Sequence, residues 1–227
     1  MAMTYRALSR LLSYPDAQLQ SEAHTCVELV EREGLISGRT IAELRKLADH
    51  LAVQDIYEAQ AAYVDLFDRT RSVSLHLYEH VHGESRERGP AMVGLVELYR
   101  AHGLEMEAND LPDYLPVFLE FLSVIADAEA ASLIGEAAHV LEAISARLAK
   151  RQNPYQSIFR ALLTISDKPA GTAAVQSLLS IQDDDPDDLE ALDKAWAEAP
   201  VNFGAGDAKD GCSGSLPGRV ATQGGAA

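Results

Sequence analysis

Three histidines, His76, His80 and His82, come nearest in this chain to the spacing of a metal site. His76 and His80 are one helical turn apart, and Glu79 and Glu84 add carboxylates nearby. Two His side chains four residues apart on a helix are a common zinc-binding pair. The HExxH spacing of zinc peptidases is absent, however, and no third ligand stands at a firm spacing. A metal-dependent helical hydrolase is therefore the alternative, and ordinary helix-surface histidines are the favoured interpretation.

Other catalytic patterns are missing from the sequence. There is no GxSxG nucleophile motif, and neither Cys26 nor Cys212 stands in a recognisable catalytic local sequence. There is also no GxxxxGK[ST] loop to hold a nucleotide phosphate. We predict that the chain is not an enzyme and that it carries no cofactor of its own.

Composition narrows the class of partner. The 227 residues include 19 basic and 35 acidic side chains, for a net charge of −16. Nucleic-acid binding needs clustered Lys and Arg, so this balance favours a basic or neutral protein partner.

The two cysteines lie in unlike contexts, which argues against a disulfide. With no signal-peptide-like start and no run of eighteen apolar residues, the sequence predicts a cytoplasmic protein that is not inserted in a membrane.

Apolar residues recur at helical spacing over most of the chain, and no window alternates with period two. The pattern predicts an all-α, single-domain helical bundle over residues 1–182. An acidic, partly ordered segment is expected over residues 183–203. The Gly-rich composition of residues 204–227 predicts a disordered tail, because it cannot bury enough apolar surface to offset the entropy of ordering.

Local signals place two helices in the middle of the chain. An apolar stripe predicts a short helix over Val73–Val81, stopped at Gly83. Further on, Pro112 and Pro116 are four residues apart and cannot both occupy a first helical turn. The second helix is therefore expected to begin between them or to be locally distorted.

Three segments carry a family signature: YVDLF at residues 63–67, LYEHVHGESRERG at 77–89 and LPDYLPVFLEFL at 111–122. Together, and in this order, they resemble the NarJ-type branch of the TorD-like chaperones, which assemble respiratory molybdoenzymes. The resemblance implies a helical bundle of the TorD-like type. It also implies a system-specific chaperone that binds the N-terminal segment of the apo nitrate reductase catalytic (α) subunit. Such a chaperone supports molybdenum cofactor insertion and delays membrane docking, and the cofactor belongs to the client.

The resemblance and the residue types together predict a client-peptide site. Its expected members are Tyr63, Asp65, Phe67, His80, Glu84, Arg86, Arg88, Asp113, Tyr114 and Glu120. A general helical scaffold or regulator without a folding client remains the second alternative, and the sequence leaves the oligomeric state open.

Individual members of the set carry separate expectations. Tyr63 and Phe67 lie one turn apart, where they could line a peptide groove or pack in the core, and we expect the groove. Asp113 should lie near the N-terminus of its own helix. Both Asp113 and Glu120 are expected to have a surface role. Tyr114 stands where the wider family has the His of a Pro-Asp-His signature.

Overall fold

The computed structural model describes residues 3–83, 85–106 and 110–181. Within these ranges the chain forms ten α-helices, one π-helical turn and one 3₁₀ turn, with a single isolated β-bridge and no named strand. The all-α prediction is confirmed. The expected acidic segment and Gly-rich tail, over residues 183–227, lie outside the described residues.

The first half of the bundle consists of four helices and two short turns. Its elements are α1 (Met3–Leu12), α2 (Ala17–Glu33), α3 (Arg39–Val53), α4 (Ile56–Tyr63), the π-helical turn Val64–Asp68 and the 3₁₀ turn Arg71–Val73. Asp16 begins α2 by accepting a hydrogen bond from the Leu19 amide, and Gly34 ends it in the left-handed conformation. This pairing of an N-terminal Asp with a C-terminal Gly is what free helix ends require.

The second half contains the two helices that the later signature segments form and the helices that support them. Its elements are α5 (Leu77–His82), α6 (Arg88–Ala101), α7 (Leu115–Leu122), α8 (Asp127–Lys150), α9 (Gln156–Ile165) and α10 (Thr172–Ser180). The helix predicted from Val73 is shorter than expected, because the 3₁₀ turn and an extended Ser74 precede α5. Gly83 ends α5 with a φ of 52°, as predicted. The helix α7 does begin between the two prolines, with Pro116 in its first turn.

The core is continuous through the bundle. Helix α1 packs against α2, α7 and α9, while α8 packs against α5, α9 and α10. Buried leucines, isoleucines and aromatic rings from these elements form one apolar cluster. A buried hydrogen bond from the Ser9 hydroxyl to the Pro116 carbonyl, 2.8 Å long, joins α1 to the start of α7. The start of α7, within the LPDYLPVFLEFL segment, is therefore tied to α1.

Candidate functional site

The second and third signature segments meet in a short antiparallel pairing. The Leu77 amide donates to the Asp113 carbonyl at 3.0 Å, and the Leu115 amide donates to the Leu75 carbonyl at 2.9 Å. His76 and Tyr114 face each other in the bridge, with ring centroids 5.3 Å apart. Two segments that are distant in sequence are therefore held together by backbone hydrogen bonds.

The carboxylate of Asp113 lies at the centre of this pairing and is fully buried, with 0% of the residue exposed. Its Oδ2 accepts a hydrogen bond from the Tyr78 amide at 3.1 Å, and its Oδ1 lies 3.4 Å from His76 Nδ1. Arg88 Nη2 approaches Oδ2 at 4.0 Å from the start of α6. We call His76, Arg88, Asp113 and the Tyr78 amide the polar junction.

The polar junction corrects the expectation for Asp113. Its side chain does not cap α7, which has no side-chain cap, but the N-terminus of α5. Burial of a carboxylate is tolerated only when hydrogen bonds and positive charge replace water, and the amide, His76 and Arg88 supply these. A surface role for Asp113 is therefore wrong, and its place in the fold is structural.

His80 lies on α5 beside the junction and faces the protein. Its Nε2 donates to the Ser74 carbonyl at 2.8 Å, while the Ser74 hydroxyl donates to Glu79 Oε2 at 2.6 Å. Burial lowers the pKa of His80 below its ordinary value, because the imidazolium form loses hydration. Among the described residues, no three His, Cys, Asp or Glu side chains lie close enough together to hold a metal ion.

Tyr63 and Phe67 are core residues, each 3% exposed, so the groove expectation for this pair is wrong. Their ring centroids are 4.9 Å apart, and Phe67 meets Tyr155 of the α8–α9 link edge-on at 5.1 Å. The Tyr63 hydroxyl donates to the Leu12 carbonyl at 2.8 Å and lies 2.9 Å from the hydroxyl of Tyr114. Because the Tyr63 proton is used on Leu12, Tyr114 is the donor between the two hydroxyls. Tyr114 is half-buried and supports the pairing rather than an open surface.

The π-helical turn explains how the YVDLF segment reaches the core. The Arg69 amide donates to the Val64 carbonyl, which inserts one extra residue into the helical turn. Asp65 on the opposite side is exposed and pairs with Arg69 at 2.9 Å. Asp65 is not among the residues that line the groove described below.

The charged loop between α5 and α6 is only partly as predicted. Arg86 is exposed, whereas Arg88 is the first residue of α6 and turns toward Asp113. Gly89 lies inside the first turn of α6. Glu84 lies outside the described residues.

An open groove of about 500 Å³ lies beside α7, between α1 and the α6–α7 link. Glu120 stands on its edge and is exposed, in agreement with the predicted surface position. We call this the acidic groove; its lining residues are Arg6, Tyr99, Leu104, Glu105, Met106, Asp110, Val117, Glu120, Phe121, Ser123 and Val124.

The acidic groove has a rigid apolar floor and a charged edge. Tyr99 and Phe121 are almost fully buried, with ring centroids 4.6 Å apart, and the Tyr99 hydroxyl donates to the Pro112 carbonyl at 2.6 Å. Val124 is 40% exposed, so apolar surface is open to a partner. Three carboxylates, from Glu105, Asp110 and Glu120, stand at the edge. This combination suits an amphipathic segment with positive charge.

Sequence reasoning found Glu120 but missed Arg6, Glu105 and Asp110. Glu105 and Asp110 stand close to the LPDYLPVFLEFL segment, so acidic residues flanking a signature were a usable signal. Arg6 belongs to the first helix, and nothing in its local sequence indicates that it faces α7. Its place in the groove depends on tertiary packing.

Comparison with known proteins identifies the family. Residues 38–161 match the family model described as nitrate reductase delta subunit. The chain belongs to this family. That region contains the whole polar junction and most of the residues that line the acidic groove.

Members of the nitrate reductase delta subunit family with curated names support the assignment. NarJ of Escherichia coli K12, a nitrate reductase molybdenum cofactor assembly chaperone, is 38% identical over 198 residues, covering 86% of this chain and 83% of NarJ. NarW of the same strain, named for the same kind of role, is 34% identical over 87% of this chain and 82% of NarW. These names describe assembly chaperones rather than catalysts.

A solved structure supports the fold. The crystal structure of a redox enzyme maturation protein from Archaeoglobus fulgidus superimposes with a TM-score of 0.52, covering 71% of this chain and 91% of that protein at 23% identity. The TorD-like bundle expected from the sequence is thus confirmed as a fold. Of the helices that the structure describes, none is long and apolar enough to cross a membrane.

Proposed function

We propose that this protein is an assembly chaperone of nitrate reductase and binds the N-terminal segment of the apo catalytic (α) subunit in the acidic groove. It supports molybdenum cofactor insertion into that subunit and delays its docking at the membrane. The observation that carries the proposal is the acidic groove itself, to which the LPDYLPVFLEFL segment contributes Val117, Glu120 and Phe121, in a chain whose named relatives are assembly chaperones.

The groove offers the two contributions that such a client needs. Apolar side chains of a client helix pack on Val117, Val124 and the aromatic floor, while its basic residues face Glu105, Asp110 and Glu120. Each buried apolar side chain contributes about 1.5–3 kcal/mol, and ordering the peptide costs about 2–5 kcal/mol. A few such contacts give an affinity between roughly millimolar and micromolar, which permits release once assembly is complete.

The remaining predicted site residues take different parts in this proposal. Tyr63, Phe67, Asp113 and Tyr114 hold the helices that shape the groove. Arg86, exposed in the α5–α6 loop, and Asp65, exposed on the π-helical turn, are available for secondary contacts with the folded part of the client.

Calorimetric titration with a peptide of the client's N-terminal sequence tests the proposal. Glu120→Lys should raise the dissociation constant roughly tenfold, which corresponds to about 1.4 kcal/mol, because it places a positive charge beside the client's basic residues. Glu28→Lys is the matched control, since Glu28 is equally exposed on α2 and the charge change is the same. If both substitutions weakened binding equally, the loss of affinity would be due to the net charge of the protein and not to this groove. If Glu120→Lys did not weaken binding, the client would not bind in this groove.

A further inference from the structure

A second groove lies on the other side of α6, and its lining is mostly apolar. It has a volume of about 260 Å³ and is bordered by α5, α6, α7 and α8. Its walls include Val81, Leu98, Phe118, Leu133, Ala137 and Val140. We call it the apolar groove. Its volume is below the range of about 300–1,000 Å³ that is typical of small-molecule sites, so it suits one or two apolar side chains.

The described chain ends on the same face of α8 that borders this groove. Arg147 on α8 is 3% exposed and donates to the carbonyls of Leu178 and Ile181, at 2.8 and 3.2 Å. Leu133, Val140 and Arg147 are spaced seven residues apart and therefore share one face of α8. At a rise of 1.5 Å per residue, Val140 is about 10 Å and Leu133 about 21 Å along α8 from Arg147, which holds the end of the described chain.

The sequence beyond Ile181 has the charge and the apolar spacing to follow that face. Six of the eight residues from Asp183 to Glu190 are acidic, whereas the last turn of α8 carries the exposed Lys150. Leu189, Leu192 and Trp196 then follow at spacings of three and four, so in a helix they would form one apolar stripe. Eight extended residues span up to about 26 Å, which is enough to bring Leu189 to the groove.

We propose that the segment around Leu189, Leu192 and Trp196 covers the apolar groove of its own chain. The occupant is intramolecular because the chain leaves the described fold on the groove's own face of α8, so the effective concentration of the segment is high. Any external partner that uses this groove must displace the segment first. The proposal concerns a groove other than the client groove and does not depend on which client binds.

Trp196 makes this proposal directly measurable, because it is the single tryptophan of the chain. In the full-length protein, its fluorescence should be blue-shifted relative to a tryptophan in water and protected from acrylamide quenching. A chain ending at Phe203 keeps the segment and should behave identically. The protection should also be independent of protein concentration.

Two substitutions from opposite sides of the contact should release Trp196. Val81→Glu places a charge in the groove wall, and Leu192→Glu places one in the covering stripe. Both should shift the emission to that of a water-exposed tryptophan and raise the quenching constant several-fold. Val93→Glu is the control, because Val93 is exposed to a similar extent, 57% against 50% for Val81, and does not line the groove.

The outcomes separate cleanly. Water-like emission in the unaltered protein would overturn the proposal, as would a protected Trp196 that Val81→Glu and Leu192→Glu leave unchanged. Protection that grows with protein concentration would assign the groove to a second copy and would also overturn it. Leu192 lies outside the described bundle, so its variant remains informative even if Val81→Glu disturbs folding.

Discussion

The polar junction and the acidic groove both include residues of the LPDYLPVFLEFL segment, yet they are opposite kinds of environment. Asp113 is sealed and satisfied by partners from α5 and α6, whereas Glu120, seven residues later, faces water at the edge of an open groove. Both are carboxylates in the same family signature. The comparison shows that membership of a signature does not distinguish residues buried in the fold from residues exposed at a groove.

The difference between Asp113 and Glu120 is one of burial, and burial has energetic consequences. An unmatched polar group costs about 1–3 kcal/mol when it is buried, whereas a solvent-exposed charge pair contributes about 0–1 kcal/mol. Substitutions in the junction should therefore act on stability, and substitutions at the groove edge should act on binding.

The largest expected effect is that of Phe67→Ala. Removing this buried ring leaves a cavity among Tyr63, Tyr155 and their neighbours and should lower the free energy of unfolding by about 3–5 kcal/mol. Urea unfolding measures the loss, and titration of the folded fraction should give normal client affinity. If Phe67→Ala had normal stability but bound the client weakly, Phe67 would line a binding groove. The contrast between residues that affect stability and residues that affect binding would then not hold.

Asp113→Ala comes next. It leaves the Tyr78 amide without its acceptor and removes the negative charge beside Arg88, so we expect a loss of about 2–3 kcal/mol in unfolding free energy. Asp113→Asn keeps one acceptor oxygen and should lose less, about 1 kcal/mol. If both variants were as stable as the unaltered protein but bound the client poorly, Asp113 would belong with Glu120 instead.

The smallest effect concerns pH and His80. Because burial lowers the pKa of His80 in the folded state, the unfolded chain takes up the proton first as pH falls through the ordinary value of about 6.5. This contribution to stability is present above that value and is lost toward the lower folded-state pKa.

Unfolding measured from pH about 7.5 to about 5 checks this sign. His80→Gln should have a flatter profile than the unaltered protein. An unaltered slope in His80→Gln would show that the protonation of His80 does not set this pH dependence.

The all-helical bundle could be predicted because helical signals are local. The apolar stripes, Gly83 at the end of α5 and the prolines around the start of α7 all act within a few residues of where they stand. The 3₁₀ turn and the π-helical turn were missed, since their backbone depends on the packing of Val73 and Phe67 into a core assembled from distant helices.

The candidate site was less predictable for the same reason. The partners of Asp113 come from His76, Tyr78 and Arg88, and no spacing rule connects residue 113 with the start of another helix. Arg6 enters the acidic groove only because α1 packs on α7. Chemistry that depends on such contacts becomes visible only when the fold is known.

One face of α1 takes part in several of these contacts at intervals of three residues. Arg6 reaches the acidic groove, Ser9 bonds to the Pro116 carbonyl, and the Leu12 carbonyl accepts the Tyr63 hydroxyl. Helix α1 therefore contacts both the acidic groove and the buried aromatic residue Tyr63. Substitutions in α1, even at positions that do not line the groove, can therefore shift α7 and change the shape of the acidic groove.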